Sequence, residues 1–215
     1  MRTAPLVGLA SGDARVTTPP RLYYIRHGET DWNVEGRLQG QRDIPINARG
    51  RAQARQCGEI LRELFARDKL DPAALDFVAS PLGRARETME IARATLGLEP
   101  TAYRVDARLA EVAFGAWEGF TTAELSARWP DVYAERERDK WRFTPPGGES
   151  YATMSVRMRE WYDTLARDSV VVAHGGTLRG LVVQLDIAPW DDAPFLDVSQ
   201  GVVYAIKPGS IARYA

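Results

Sequence analysis

Short apolar runs alternating with amphipathic segments predict an α/β sandwich built on a mostly parallel sheet. Two features carry that expectation. Leu22-Tyr23-Tyr24-Ile25 and Val170-Val171-Val172-Ala173 are brief, aromatic or β-branched runs of the kind that form buried strands. The only two histidines, His27 and His174, stand at the ends of those runs, and each is followed by glycine. In open α/β sheets ligands bind beyond the carboxyl ends of strands, so neighbouring parallel strands would bring both imidazoles to one crevice. A single phosphoryl-sized group touched by both rings requires their reactive nitrogens to lie within about 4–7 Å.

The elements follow in order. Residues 1–20, with Pro19-Pro20 at their end, read as a loosely ordered lead-in, and residues 21–215 as a single domain. A first strand covers 21–26. A polar, glycine-punctuated loop then carries Asn33 and Gln39. Asn47 caps a helix to about residue 66, with Ala54, Cys57, Leu61, Leu64 and Phe65 on its apolar face and Arg51, Arg55, Glu59 and Arg62 opposite. A second strand spans 75–79, and Ser80-Pro81 reads as the cap and first turn of a helix carrying Arg84 and ending near Gly97. A third strand is expected over 102–109. Residues 111–150 hold Trp117, Trp129, Tyr133, Trp141 and Phe143 and have the character of a cap over the crevice. Their mixed-charge run, 135–140, reads as a solvated helix face. A helix over 149–167, a strand over 169–173, a helix over 177–185 and a terminal hairpin of 202–206 and 210–214 complete the chain.

Composition narrows the function. A net charge of −1 gives no bulk attraction to nucleic acid or to anionic membranes. No apolar run approaches a membrane span, and no secretory h-region is seen, so a cytoplasmic location is expected. The single cysteine, Cys57, cannot form an internal disulfide framework. The sequence allows a homodimer without specifying one.

The polar groups expected at the strand tips are Arg26, His27, Asn33, Arg84, Glu111 and His174. Two guanidiniums and two imidazoles around one point suit phosphate oxygens. The amides that follow His174 at a helix start would add to the site. No GxxxxGK[ST] loop is present, no acidic cluster has magnesium spacing, and two histidines with no cysteine partner make a poor zinc site. The expectation is a phosphoryl group handled without a metal or other cofactor. A neutral imidazole is a competent nucleophile there, and Glu111 could protonate the leaving oxygen.

These motifs resemble the histidine phosphatase superfamily, the phosphoglycerate-mutase-like family, over about residues 22–185. Arg26-His27-Gly28-Glu29-Thr30 with Asn33 resembles its signature. Ser80-Pro81-Leu82-Gly83-Arg84-Ala85-Arg86-Glu87-Thr88 resembles its second motif. Leu109-Ala110-Glu111 resembles the segment with the acid, and His174-Gly175 the second histidine. The resemblance implies a three-layer α/β/α fold and no metal. It makes His27 the nucleophile that becomes phosphohistidine, and Glu111 the proton donor and later the activator of water. Arg26, Asn33, Arg84 and His174, with Gln39, would hold the phosphate.

Within the family, Gln39-Gly40, Gly115-Ala116-Trp117-Glu118-Gly119 and Pro146-Gly147-Gly148-Glu149-Ser150 resemble broad-specificity and α-ribazole phosphatases. No Arg-Arg dipeptide lies between Glu111 and His174, and His174-Gly175-Gly176 departs from the His-Gly-Asn of mutases. The sequence displays no clear cations for a second anionic group, so water is the expected acceptor and a small phosphorylated metabolite the expected partner. Phosphoglycerate mutase and a non-catalytic phosphoester-binding module of the same fold are the alternatives.

Overall fold

The computed structural model describes residues 19–215, so all but the last two residues of the expected lead-in lie outside the described residues. The strands are β1 (Leu22–Arg26), β2 (Asp76–Ala79), β3 (Arg104–Val105), β4 (Ser169–Ala173), β5 (Val203–Lys207) and β6 (Ser210–Tyr214). The helices are α1 (Asp31–Val34), α2 (Ala48–Asp68), α3 (Gly83–Thr95), α4 (Thr122–Arg128), α5 (Pro130–Arg138), α6 (Tyr151–Tyr162) and α7 (Gly175–Gln184). The sheet runs in the order β3-β2-β4-β1-β5-β6. The first four of these are parallel, and the terminal hairpin of β5 and β6 adds antiparallel strands.

Side chains of a strand alternate between faces, and β1 is apolar on both. Leu22 and Tyr24 enter one core with Met154, Met158, Trp161, Leu178 and Leu181 from α6 and α7. Tyr23 and Ile25 enter the other with Leu61, Leu64, Phe65 and Met89 from α2 and α3. A sheet buried on both faces between helices gives the three-layer α/β/α arrangement. It also explains why β1 and β4 read as continuous apolar runs rather than alternating ones. All five apolar positions expected on α2 are buried, and its four charged positions are exposed.

The boundaries differ where a side chain intervenes. The third strand shrinks from 102–109 to Arg104–Val105, because the Asp106 carboxylate accepts from the Arg108 amide at 3.0 Å and starts a 3-10 turn, Ala107–Leu109. The helix expected over 149–167 spans only Tyr151–Tyr162. Ser150 Oγ accepts from the Thr153 amide at 3.0 Å at its start, and Thr164 Oγ1 takes the Trp161 carbonyl at 2.6 Å beyond its end. Ser80-Pro81 does not begin α3, which starts at Gly83 without a side-chain cap. Ser80 is engaged elsewhere, as described below.

Residues 111–150 contain α4, α5 and a 3-10 turn at Gly115–Trp117. Their aromatics pack inward: Trp117 stacks on Phe143 with ring centroids 5.1 Å apart, and Trp141 lies parallel to Tyr151. The mixed-charge run is only partly a solvated face, since Arg136 is buried. Among the described residues no helix is long and apolar enough to cross a membrane.

Candidate active site

β1 and β4 are parallel neighbours with Arg26 opposite Ala173. The ladder extends one step further, as the His27 amide donates to the Ala173 carbonyl at 2.9 Å. His27 and His174 therefore leave the sheet side by side. Their ring centroids are 5.1 Å apart, and both rings are buried.

Backbone clamps fix each imidazole. The His27 ring meets the Gly28 carbonyl through Nδ1 at 2.8 Å. A carbonyl can only accept, so Nδ1 carries the proton and Nε2 keeps its lone pair. Gly28 sits where a Cβ would come within 2.4 Å of the Gly50 carbonyl oxygen, so a larger residue here would push β1's tip off α2. Around His174, the buried Tyr24 hydroxyl accepts from its amide at 3.1 Å and donates to its carbonyl at 2.7 Å. Its Nε2 lies 2.7 Å from Ser80 Oγ. If Nε2 accepts from that hydroxyl, Nδ1 bears the hydrogen and becomes a donor for a bound anion. Ser80 is thus a positioning residue that its Ser-Pro context disguises as a helix cap.

Burial first, then the Arg84 and Arg26 cations, hold the His27 pKa well below its usual 6.5. His174 is lowered in the same direction by burial, Arg84 and His27. Both rings are neutral at neutral pH.

Arg84 is buried, and its two terminal nitrogens donate to the carbonyls of Arg42 and Gly40 at 2.5 and 2.7 Å. Arg26 Nη1 donates to the Val198 carbonyl at 2.7 Å. Among the described residues, Arg26 Nε, Arg84 Nε, His174 Nδ1 and Gln39 Oε1 are buried without a hydrogen-bond partner. A buried donor left unpaired costs roughly 1–3 kcal/mol, so the two arginine N–H groups call for an acceptor such as a phosphoryl oxygen. Asn33 Oδ1 accepts from the Thr30 amide and from Gln200 Nε2 at 3.1 and 3.0 Å, which leaves its amide nitrogen for other partners. Gln200, which also donates to the His27 carbonyl at 3.1 Å, has no recognisable sequence signal.

Glu111 is held by two amides: Oε1 accepts from Val112 at 2.9 Å and Oε2 from Gly176 at 3.0 Å. The Gly176 amide is therefore spent on the carboxylate. It does not join the anion site, as the sequence led one to expect. A Cβ on Gly176 would stand 2.4 Å from Glu111 Oε1, which accounts for the second glycine of His174-Gly175-Gly176. The Gly148-Glu149 pair supports the same loop. The Glu149 amide donates to the Ala113 carbonyl at 2.9 Å, its Oε1 accepts from the Ala113 amide at 3.1 Å, and Arg157 bonds both Glu149 and the Glu111 carbonyl.

Arg26, His27, Asn33, Gln39, Arg84 and Glu111 line one cavity of about 250 Å³, floored by Gly175 and Gly176. His174 lies behind it, against His27. Arg37, Phe114, Thr122, Arg136, Lys140, Tyr151 and Arg179 are also part of the wall. Clear cations for a second anionic group are thus present, contrary to the sequence expectation. The charge pattern misled because Arg136 and Lys140 point inward from a run that looks solvated, while Arg179 comes from α7. Among the described residues no three His, Cys, Asp or Glu side chains cluster as metal ligands.

The sequence profile of the histidine phosphatase superfamily (branch 1) matches residues 22–210. The chain belongs to that family. It is 36% identical over 187 residues to a glucosyl-3-phosphoglycerate phosphatase of Mycobacterium tuberculosis, covering 79% of this chain and 78% of that one. It is 31% identical over 172 residues to a 2,3-bisphosphoglycerate-dependent phosphoglycerate mutase of Gloeobacter violaceus, covering 77% and 75%. The crystal structure of the α-ribazole phosphatase from Shigella flexneri superposes with a TM-score of 0.73 at 28% identity, over 87% of this chain and 90% of that one.

Proposed function

We propose that the protein is a metal-independent phosphatase of small phosphomonoesters working through a phosphohistidine, with His27 as nucleophile. The observation that carries this reading is the His27 ring, tied through Nδ1 to Gly28, among buried arginine donors with no partner among the described residues. His27 Nε2 attacks phosphorus as the ester oxygen departs. Arg26, Arg84 and the Nδ1–H of His174 carry the charge on the equatorial oxygens, with Asn33 and Gln39 beside them. Glu111 gives its proton to the leaving alkoxide, then takes one from the water that attacks the phosphohistidine, releasing phosphate and restoring both groups. Glu111 lines the cavity, where a pure binding module would have no use for a proton donor. Residues 21–215 act as one domain, with 111–150 covering the crevice. Relatives named as phosphatases support hydrolysis.

Trapping with phosphorus-labelled substrate tests the mechanism. Wild type should give an acid-labile, alkali-stable adduct without added metal, and His27→Ala should give neither adduct nor turnover. An acid-stable adduct, or label retained in His27→Ala, overturns it. The second reading, a mutase, is favoured by Arg136, Lys140 and Arg179 in the cavity. Isomerisation of phosphoglycerate that outruns phosphate release in the presence of bisphosphoglycerate would establish it.

A further inference from the structure

A second cavity, of about 450 Å³, lies beside the first residues of β2 and the approach to β3. It shares no lining residue with the catalytic cavity. β2 runs parallel to β4 with Asp76 opposite Ser169, whereas His174 follows the other end of β4. The strand from Ser169 to His174 rises about 16 Å, so the two cavities lie at opposite ends of the sheet.

One side chain sets the character of this cavity. Arg93, in the last turn of α3, lines it and is only 6% exposed. Its guanidinium carbon lies 4.4 Å from the centre of the Phe77 ring, and its Nε donates to the Glu99 carbonyl at 2.9 Å. Tying the end of α3 to the loop beyond it needs no more than that Nε bond. The two terminal nitrogens of Arg93 have no hydrogen-bond partner and no ion-pair partner among the described residues. The Glu99 carboxylate turns instead to the Thr101 hydroxyl at 3.1 Å. Stacking on Phe77 and the bond to Glu99 fix the plane of the fork before any ligand arrives. A guanidinium that is buried, oriented and unpaired is preorganised for a planar anion.

The rest of the wall selects among anions. Arg104 pairs with Asp76 through both of its carboxylate oxygens, so two cations less one carboxylate leave the lining one net positive charge. That charge matches a carboxylate and falls short of a phosphate monoester, which carries roughly two negative charges at neutral pH. Leu75, Leu98 and Ala102 supply apolar surface. The Tyr103 ring beside them is held in place, since its hydroxyl donates to Glu90 at 2.9 Å and accepts from Arg86 at 3.4 Å.

We propose that this cavity is a second binding site, for a small organic monocarboxylate with a compact apolar body. The carboxylate takes the Arg93 fork, and the body lies against Leu75, Leu98 and Tyr103. The site stands apart from the chemistry at His27 and does not depend on the phosphatase reading.

Calorimetry on the full chain tests this with benzoate and its neutral isostere benzamide. Wild type should bind benzoate with a Kd of about 1 mM or tighter, and benzamide roughly tenfold more weakly. Arg93→Gln should weaken benzoate by about tenfold or more and erase the preference, because the charge-assisted pair is lost. Ala102→Trp, at an exposed position of the wall, keeps Arg93 and fills the cavity, so it should weaken benzoate by about tenfold as well. That variant decides the matter if circular dichroism shows Arg93→Gln to be misfolded. A crystal soaked with 4-bromobenzoate should place bromine beside Leu75 and Leu98 with the carboxylate on Arg93. No benzoate binding to wild type at about 10 mM overturns the site. So does an unchanged benzoate affinity in either folded variant, or bromine found only in the catalytic cavity.

Discussion

Lowering the pH from 7.5 to 5.5 should destabilise this protein through its two histidines. Both rings are buried beside Arg84, and both have pKa values held well below 6.5, burial being the larger cause in each case. The unfolded chain takes up a proton on each as pH falls through about 6.5, whereas the folded protein does not. A depressed folded-state pKa means that the stability is fully present above 6.5 and is lost as pH drops toward the folded-state values. While both rings stay neutral in the fold, each costs about 1.4 kcal/mol across this window, together a little under ~3 kcal/mol. The two rings dominate this window because the chain has no other histidine and carboxylates ordinarily titrate lower; Lys140, lowered to about 8, adds only a small contribution of the same sign at its upper end. The assay is urea unfolding at a series of pH values in buffers free of phosphate and sulfate, with His174→Asn expected to show about half the slope. A flat profile, or greater stability at pH 5.5, would refute the assignment of two neutral, desolvated imidazoles.

Three further outcomes are expected. Glu111→Gln should slow alkyl phosphates by roughly 10²–10⁴-fold and nitrophenyl phosphate far less, because only the alkoxide needs a proton as it leaves. Gly176→Ala, whose Cβ would meet Glu111 Oε1, should show the same leaving-group signature; equal losses on both esters would mean that the carboxylate binds or folds rather than donates. Ser80→Ala should lower kcat by about tenfold with little change in KM, the size of one orienting hydrogen bond to His174. A variant indistinguishable from wild type in steady-state kinetics would show that Ser80 does not set the tautomer.

Periodicity, capping and punctuation determined a good deal of this protein by themselves. The apolar runs before His27 and His174 specify strands buried on both faces, and Asn47 with its amphipathic sequel specifies α2, because these patterns depend on residues close in the chain. The tip motifs named His27, Arg84, Glu111 and His174 for the same reason: each stands where its own strand, helix or loop begins or ends. Tertiary structure decided what those neighbours do. Ser80 looks like a cap until β2 sets it against His174. Gly176 looks like an anion-binding amide until Glu111, 65 residues away, takes it. Arg136 and Lys140 look solvated until α5 turns them toward Arg179 across the cavity. A hydrogen bond or a repulsion between distant residues leaves no period in the sequence. Only the packing of α7, α5 and the sheet edge around one crevice makes it visible.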